Sequence, residues 1–229
     1  MGLIEVIKND VYLSKLFSTV EYNGIDYCKL KSAKAKKFLA KAGDYYDYIL
    51  LTVSGDLSVF LENENGKSYV TERIGKYKAI NELELIAGEP AIISTIMALT
   101  DCSYISIPKD IYYGWFLRYH SFTIDVSVRL GKSLCNLSKT NGVNILYNSE
   151  MKLAFYMERA YKEANKPEVK ISESRGFISE SIGVSVRTVN RVIAKFAALG
   201  LIKLEKGKIL INSECIKGVR YFINNNKSE

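Results

Sequence analysis

The chain has 229 residues and an apolar content of 48%, which suits one large domain or two small ones with a sizeable core. Its longest uncharged, mostly apolar run, residues 90–100, is about half of what a membrane-spanning helix needs, and the first residues do not read as a signal peptide. We therefore expect a cytoplasmic protein that does not bind membranes. The net charge of +7 lies mainly in residues 166–229, which hold 12 Lys and Arg against 6 Asp and Glu, so this part is expected to contact a polyanion.

Residues 20–107 predict many short β-strands. Apolar stretches rich in β-branched and aromatic residues, such as residues 48–53 and 57–61, alternate with turn signals. The turn signals are Gly43-Asp44, Ser54-Gly55-Asp56, Asn63–Gly66 and Gly75. Regular turns between short strands indicate an antiparallel sandwich or barrel.

The pattern changes to a helical period from residue 109 to about residue 139. One row of apolar or small residues follows the three-four spacing of a heptad seam, which predicts a long helix that pairs with a second copy of the chain. The predicted interface residues are Phe116, Tyr119, Thr123, Val126, Leu130 and Leu137. The alternative is a helix packed only on its own β domain. We favour the homodimer because a second apolar side, which includes Trp115 and Phe122, is available to cover the parent domain.

A second helix is predicted from Ser149 to Ala164, with Ser149 as its N-cap. It ends at Asn165-Lys166-Pro167, because proline cannot continue the helical hydrogen bonding. The chain thus divides into a β domain (1–108), a long helix (109–140) and a C-terminal domain (141–229).

Residues 175–211 carry the pattern of a helix-turn-helix followed by a hairpin. Phe177, Ile178 and Ile182 form one face of a short helix, and Gly183 permits the sharp turn after it. Ser185 stands at the N-cap position of a second helix, residues 186–199. Two short strands, 201–205 and 208–211, then form a wing around Lys206-Gly207.

The second of these helices offers a set of candidate DNA contacts. Arg187 and Arg191 are four residues apart and share one side of the helix with Asn190. Arginine can bind guanine with two hydrogen bonds, and asparagine can bind adenine in the same way. Contacts with phosphate are expected from Ser185, Thr188 and Lys206, and Arg175 is a further candidate for DNA binding. A solvated helix face is the alternative, but the preceding helix, the glycine turn, the cap and the wing agree on DNA binding.

These residues resemble the Crp/Fnr family of bacterial transcription regulators, the cyclic-AMP receptor protein and its relatives, along nearly the whole chain. The segment from Asn81 to Pro90 resembles the family's "GELALIxGxP", and residues 98–101 and 105–108 resemble the strand that closes its β-roll. The resemblance implies an α+β fold: an N-terminal antiparallel β-roll of the cyclic-nucleotide-binding jelly-roll type, a dimerisation helix and a C-terminal winged helix-turn-helix. It also implies a homodimer on a near-palindromic site in double-stranded DNA, with Ser185, Thr188 and Arg191 at positions that contact DNA.

Two departures from the family pattern limit this resemblance. Val186-Arg187 stands where the cyclic-AMP receptor protein has Arg-Glu, so we expect a different half-site. In the family, an arginine that binds the cyclic phosphate follows the proline that corresponds to Pro90. Here residues 91–94 read Ala-Ile-Ile-Ser, and no basic residue lies between Lys78 and Lys109. Burying a phosphate without a charged partner is costly, so we predict weak or no cyclic-AMP binding. The candidate pocket residues for an unidentified small-molecule effector are Asn81, Glu82 and Ser94, each with a purely structural role as the alternative.

Other chemistry has little support in the sequence. The four cysteines are spread out, Cys28 stands alone near the N-terminus and the only histidine, His120, falls on the long helix, so we expect no metal and no cofactor. A single histidine and the lack of a phosphate-binding loop argue against an enzyme. The alternative function is a ligand-binding regulatory module that acts on a partner protein without binding DNA. RNA polymerase is a further candidate partner.

Overall fold

The computed structural model describes residues 2–62 and 68–226, so the predicted turn at Asn63–Gly66 lies outside the described residues. The chain divides into two compact units between residues 137 and 138. Within the described ranges, none of the helices combines the length and apolar character that a bilayer crossing requires.

The N-terminal unit contains two four-stranded antiparallel sheets, as the sequence predicts. The strands are β1 (Lys29–Ala33), β2 (Phe38–Ala40), β3 (Tyr48–Ser54), β4 (Leu57–Glu62), β5 (Ser68–Ile74), β6 (Ala79–Ile80), β7 (Thr95–Ala98) and β8 (Cys102–Pro108). One sheet has the order β1-β8-β3-β6 and the other β2-β7-β4-β5. Gly55 joins β3 to β4 with φ +87°, and a Cβ there would lie 2.6 Å from the carbonyl oxygen of Asp101, so only glycine fits this turn.

This unit also contains five helices among its described residues, of which the two at the N-terminus and the short one at residues 82–87 were not predicted. They are α1 (Leu3–Asn9), α2 (Val11–Ser18), α3 (Glu82–Ala87), α4 (Lys109–Arg118) and α5 (His120–Leu146), with a 3-10 turn at Ile25–Tyr27. Asp10 caps α2 by accepting from the Leu13 N–H (3.0 Å), and it also accepts from the Tyr77 hydroxyl (2.7 Å) and Lys76 (3.2 Å). Burial by itself would raise the pKa of Asp10, but these hydrogen bonds together lower it below 3.8.

The core of this unit has an aromatic part and an aliphatic part. Trp115 and Phe122 lie against each other and against Tyr112, with the Trp115 and Phe122 ring centres 5.6 Å apart. Between the sheets, Leu57 is fully buried and Ile80 is 2% exposed. These side chains belong to an aliphatic cluster between the two sheets.

The predicted long helix is divided in two. α4 ends at Arg118, and Tyr119 is extended (φ −112°, ψ 101°) before α5 begins. The Thr123 hydroxyl donates to the Phe116 carbonyl oxygen at the break, and it also lies 3.2 Å from the Tyr119 carbonyl oxygen, which already accepts from the Thr123 N–H. This side-chain bond stabilises a break that the apolar spacing does not show.

The C-terminal unit surrounds a small three-stranded sheet. Its elements are α6 (Ser149–Ala164), β9 (Glu168–Ile171), α7 (Arg175–Ile182), α8 (Val186–Ala198), β10 (Lys203–Glu205), β11 (Lys208–Asn212) and α9 (Ser213–Asn225). The sheet order is β10-β11-β9, so the wing has a third strand that was not predicted. The N-cap of α6 is Asn148, whose side chain accepts from two backbone N–H groups, which corrects the prediction of Ser149.

Candidate DNA-binding site and effector region

The turn between α7 and α8 is built around Gly183. This residue has φ +66°, and the following Val184 N–H donates to the Ser179 carbonyl oxygen at 3.1 Å. The Ser179 hydroxyl in turn donates to the Val184 carbonyl oxygen. These reciprocal bonds close the end of α7 and set the direction in which α8 begins.

One face of α8 is buried and the opposite face is open to solvent. Val189, Val192, Ile193 and Phe196 pack into the core of the unit, with Phe196 at 0% exposure. The exposed face carries Arg187, Asn190 and Arg191. The structure therefore brings these three predicted side chains together on one accessible surface.

The N-terminus of α8 is closed by its own side chains. The Ser185 hydroxyl accepts from the Thr188 N–H at 3.1 Å and lies 2.9 Å from the Thr188 hydroxyl. Ser185 is exposed and Thr188 is half-buried. Both hydroxyls have further hydrogen-bonding capacity for a phosphate at this helix end.

The wing carries Lys206 at its tip. Lys206 and Gly207 both have positive φ, +47° and +76°, as the tightest hairpin turns require. Arg175 donates to the Gly207 carbonyl oxygen at 2.8 Å. This predicted DNA contact thus fixes the wing to the start of α7, whereas Lys206 is exposed.

Two contacts hold α8 against its own unit. Lys195 forms a 2.7 Å salt bridge with Glu150 at the start of α6. The Phe196 ring packs edge-on against Phe222 of α9, 5.2 Å between ring centres. The exposed basic face is therefore presented by a helix with a fixed position in the unit.

The candidate effector residue Glu82 is occupied by partners from the chain itself. It is 2% exposed and lies in an ion pair with Arg129 of α5, and it also accepts from the Tyr112 hydroxyl. Arg129 pairs in addition with Asp125 and donates to the Tyr12 hydroxyl (2.7 Å). We call these five residues the Arg129 cluster.

The charge state of the Arg129 cluster follows from its surroundings. Burial would lower the pKa of Arg129, but Tyr112 and Glu82 raise it above its ordinary value, so the guanidinium stays charged. Burial raises the pKa of Tyr12 to about 12, so this phenol stays neutral. The cluster is thus a fixed ion pair with neutral hydroxyl donors. Asp125 and Arg129 have the i,i+4 spacing of a helical ion pair, but Glu82, Tyr112 and Tyr12 join them only through the fold.

The other two effector candidates have partners of their own or lie in a loop, and among the described residues neither is hydrogen-bonded to the Glu82 side chain. The Asn81 amide donates to the Tyr48 carbonyl oxygen at 2.9 Å, and its backbone has φ +65°. Ser94 is half-buried in the loop before β7. Among the described residues, no hydrogen bond connects Ser94 with Asn81 or Glu82.

The predicted dimer seam packs on its own unit for most of its length. Val126 has 0% exposure, and Phe116, Tyr119 and Leu130 are half-buried against the same core. Thr123 makes the bonds at the helix break, and Leu137 is half-buried. Within a single copy of the chain, Val126 is thus covered by its own unit. The assignment of these six residues to a dimer interface stays a prediction.

A different stripe of α5 is exposed. Ile124, Val128 and Leu134 are exposed by 50%, 47% and 68%, and Gly131 and the exposed Cys135 lie beside them. Ile124, Val128, Gly131 and Cys135 follow a four-three-four spacing, which is again that of a heptad seam.

The cysteines and the histidine offer no grouped ligands. Cys28, Cys102 and Cys215 are buried as free thiols, and His120 is exposed. In the part of the chain that the structure describes, no three His, Cys, Asp or Glu residues are placed to hold a metal ion.

The fold and the site together define a class of protein, the DNA-binding regulators with a sensor-type domain. A two-sheet β-roll is followed by a winged helix-turn-helix whose recognition helix presents an exposed basic face. Two family models match the chain: the cyclic nucleotide-binding domain over residues 30–119 and the Crp-like helix-turn-helix domain over residues 129–214. The chain belongs to the Crp/Fnr family of transcription regulators, a family that is not enzymatic.

Solved structures show the same fold at low sequence identity. The c-di-GMP-responsive global regulator CLP of Xanthomonas campestris matches with a TM-score of 0.74 at 16% identity over 86% of this chain and 99% of its own. FixK2 of Bradyrhizobium japonicum matches with a TM-score of 0.74 at 10% identity, over 85% of this chain and 96% of its own. A transcriptional regulator of the Crp/Fnr family from Eubacterium rectale matches with a TM-score of 0.72 at 18% identity, over 95% of this chain and 96% of its own. No curated protein matches the chain by sequence.

Proposed function

We propose that this regulator binds a near-palindromic DNA site as a homodimer and reads it with Arg187, Asn190 and Arg191. The observation that carries the proposal is the exposed face of α8, which presents these three side chains opposite a fully buried face. Ser185, Thr188 and Lys206 supply phosphate contacts, and Arg175 holds the wing in place. Because its target is chromosomal DNA, the protein acts in the cytoplasm.

The dimer interface of this proposal is the exposed stripe of α5 rather than the predicted seam. Ile124, Val128 and Leu134 expose apolar surface along one side of the helix, and pairing with a second copy removes that surface from water. Two copies related by a two-fold axis present two recognition helices, which is the reason for a near-palindromic site.

The effector of this proposal is not cyclic AMP. Glu82 is neutralised by Arg129, and the segment that carries the phosphate-binding arginine in the family has no basic residue here. A calorimetric titration of the full chain with cyclic AMP from micromolar to millimolar concentrations should show weak binding or none. Tight binding would contradict this part of the proposal.

The DNA-binding part is tested by selecting genomic fragments with the purified protein and measuring affinity for the recovered site by fluorescence anisotropy. Arg191→Ala should weaken binding by about 1–3 kcal/mol and relax the preference at one base pair of each half-site. Lys217→Ala, at an exposed position on α9, is the matched control. Failure to recover any preferred site, or equal affinity of both variants, would contradict DNA reading by α8.

The dimer is tested by sedimentation of variants at micromolar concentration. Val128→Glu places a charge in the middle of the proposed interface and should shift the protein to the monomer. Val11→Glu, at a position 89% exposed on α2, is the same substitution elsewhere and should leave the dimer intact. An unchanged dimer in the Val128 variant would exclude this face.

A further inference from the structure

A cavity of about 290 Å³ lies within the C-terminal unit, separate from the β-roll and from the exposed face of α8. Its walls are the last turns of α5 and one side of α6, and the end of α7 closes it. We call it the α5–α6 groove. Its volume is at the lower end of the range that small-molecule sites occupy.

Four cations line this groove. Lys139 comes from α5, and Lys152, Arg159 and Lys162 come from α6, where their spacing of seven and three residues puts them on one side of the helix. The three lysines form no ion pair within the described residues. Like charges gathered around a concave surface repel one another, so the groove favours an anion.

The single carboxylate of the lining does not neutralise these cations. Glu158 pairs with Arg220 of α9, 3.2 Å from the Arg220 Nε. Arg159 makes only a long contact with the Thr140 hydroxyl, 3.5 Å, and lies 5.7 Å from the ring centre of Tyr156. The positive charge of the groove is therefore available to a ligand.

The same groove has an aromatic wall. Phe155 and Tyr156 line it between Lys152 and Arg159, and Phe155 is half-buried. An aromatic ring beside several cations suits a ligand with a planar base and a phosphate, because the base packs on the ring and the phosphate accepts charged hydrogen bonds.

We propose that the α5–α6 groove binds a nucleoside phosphate. Lys139, Lys152, Arg159 and Lys162 hold the phosphate, and Phe155 packs on the base. The cavity volume favours one nucleotide over a dinucleotide. This site is distinct from the family's β-roll pocket, so it does not depend on the roll or on DNA reading by α8.

The test is calorimetry of the full chain with four probes: GMP, AMP, guanosine and inorganic phosphate. We expect saturable binding of at least one nucleotide and none of guanosine. Combined Lys152→Gln and Arg159→Gln should weaken nucleotide binding about a hundredfold, since each charged contact contributes about tenfold. Phe155→Leu should weaken nucleotide binding while leaving inorganic phosphate binding unchanged.

The control is the pair Lys166→Gln and Lys217→Gln, which removes the same charge at exposed positions outside the groove. Far-UV circular dichroism melts identify any variant that fails to fold, and those variants are replaced by the single substitutions. The proposal is overturned if no nucleotide binds saturably, or if the groove and control variants bind equally. It is also overturned if the groove variant binds nucleotides as tightly as the unchanged protein and is weakened only in its affinity for a DNA duplex.

Discussion

Arg129→Leu removes the centre of the Arg129 cluster and tests how much of the N-terminal unit depends on it. Glu82 is 2% exposed, so the substitution leaves a carboxylate buried without its cation. Removing one member of a buried ion pair costs about 3–5 kcal/mol of unfolding free energy, because the remaining charge is uncompensated. For a protein of this size, that loss lowers the melting temperature by about 6–20 °C.

The assay is urea unfolding followed by tryptophan fluorescence. Trp115 is the only tryptophan, is 4% exposed and packs near Tyr112, so its emission reports unfolding of the N-terminal unit alone. Arg118→Leu, at an exposed position of α4, is the matched control and should cost less than about 0.5 kcal/mol.

A second variant separates the ion pair from simple packing. Combined Glu82→Leu and Arg129→Leu replaces both charges with apolar side chains of similar volume and should recover most of the lost stability. A cost below about 1 kcal/mol for Arg129→Leu alone would refute the reasoning. So would a double variant in which the two single losses simply add.

Three further predictions concern the N-terminal unit. The pKa of Asp10 is lowered below 3.8 in the folded state, so the stability it contributes is complete at neutral pH and is lost as the pH falls through the folded-state pKa. Asp10→Asn should therefore make the free energy of unfolding less dependent on pH below about 4. Measuring the unfolding midpoint at a series of acid pH values checks this. Gly55→Ala should lower the melting temperature more than Gly43→Ala does. Both residues have positive φ, but only at position 55 would a Cβ meet other atoms within 4 Å. Equal decreases in melting temperature would contradict this close contact. Burial raises the pKa of the Cys28 thiol to about 12, so iodoacetamide at pH 8 should modify it only after unfolding, as mass spectrometry of the peptides will show.

The helix-turn-helix was the part that the sequence predicted best. Gly183, Ser185 and the apolar positions of α8 act locally, through a left-handed turn, a cap and a 3.6-residue period. Such features depend on neighbours within a few residues, so they are visible in the chain itself. Gly55 was likewise recognised as a turn residue, whereas its close approach to the Asp101 carbonyl oxygen became visible only in the fold.

The sequence did not decide which side of the long helix is buried in its own unit. Two apolar sides of the helix were available, and the side that contains Val126 packs inward. Its partners include side chains of the N-terminal helices, such as Phe17, which were not predicted. The identity of a buried face depends on which distant elements cover it, and apolar spacing alone does not contain that information.

The sequence by itself determined the strand-rich character of the N-terminal unit, the helix-turn-helix with its glycine turn and the candidate contacts of the recognition helix, because each of these depends on residues close together in the chain. Only the tertiary structure decided that Glu82 belongs to an internal ion pair, that Arg175 holds the wing and that cations from α5 and α6 share one groove. The physical reason is distance along the chain: Glu82 and Arg129 are 47 residues apart and Arg175 and Gly207 are 32 apart, and contacts of that kind exist only once the packing of the whole unit brings the side chains together.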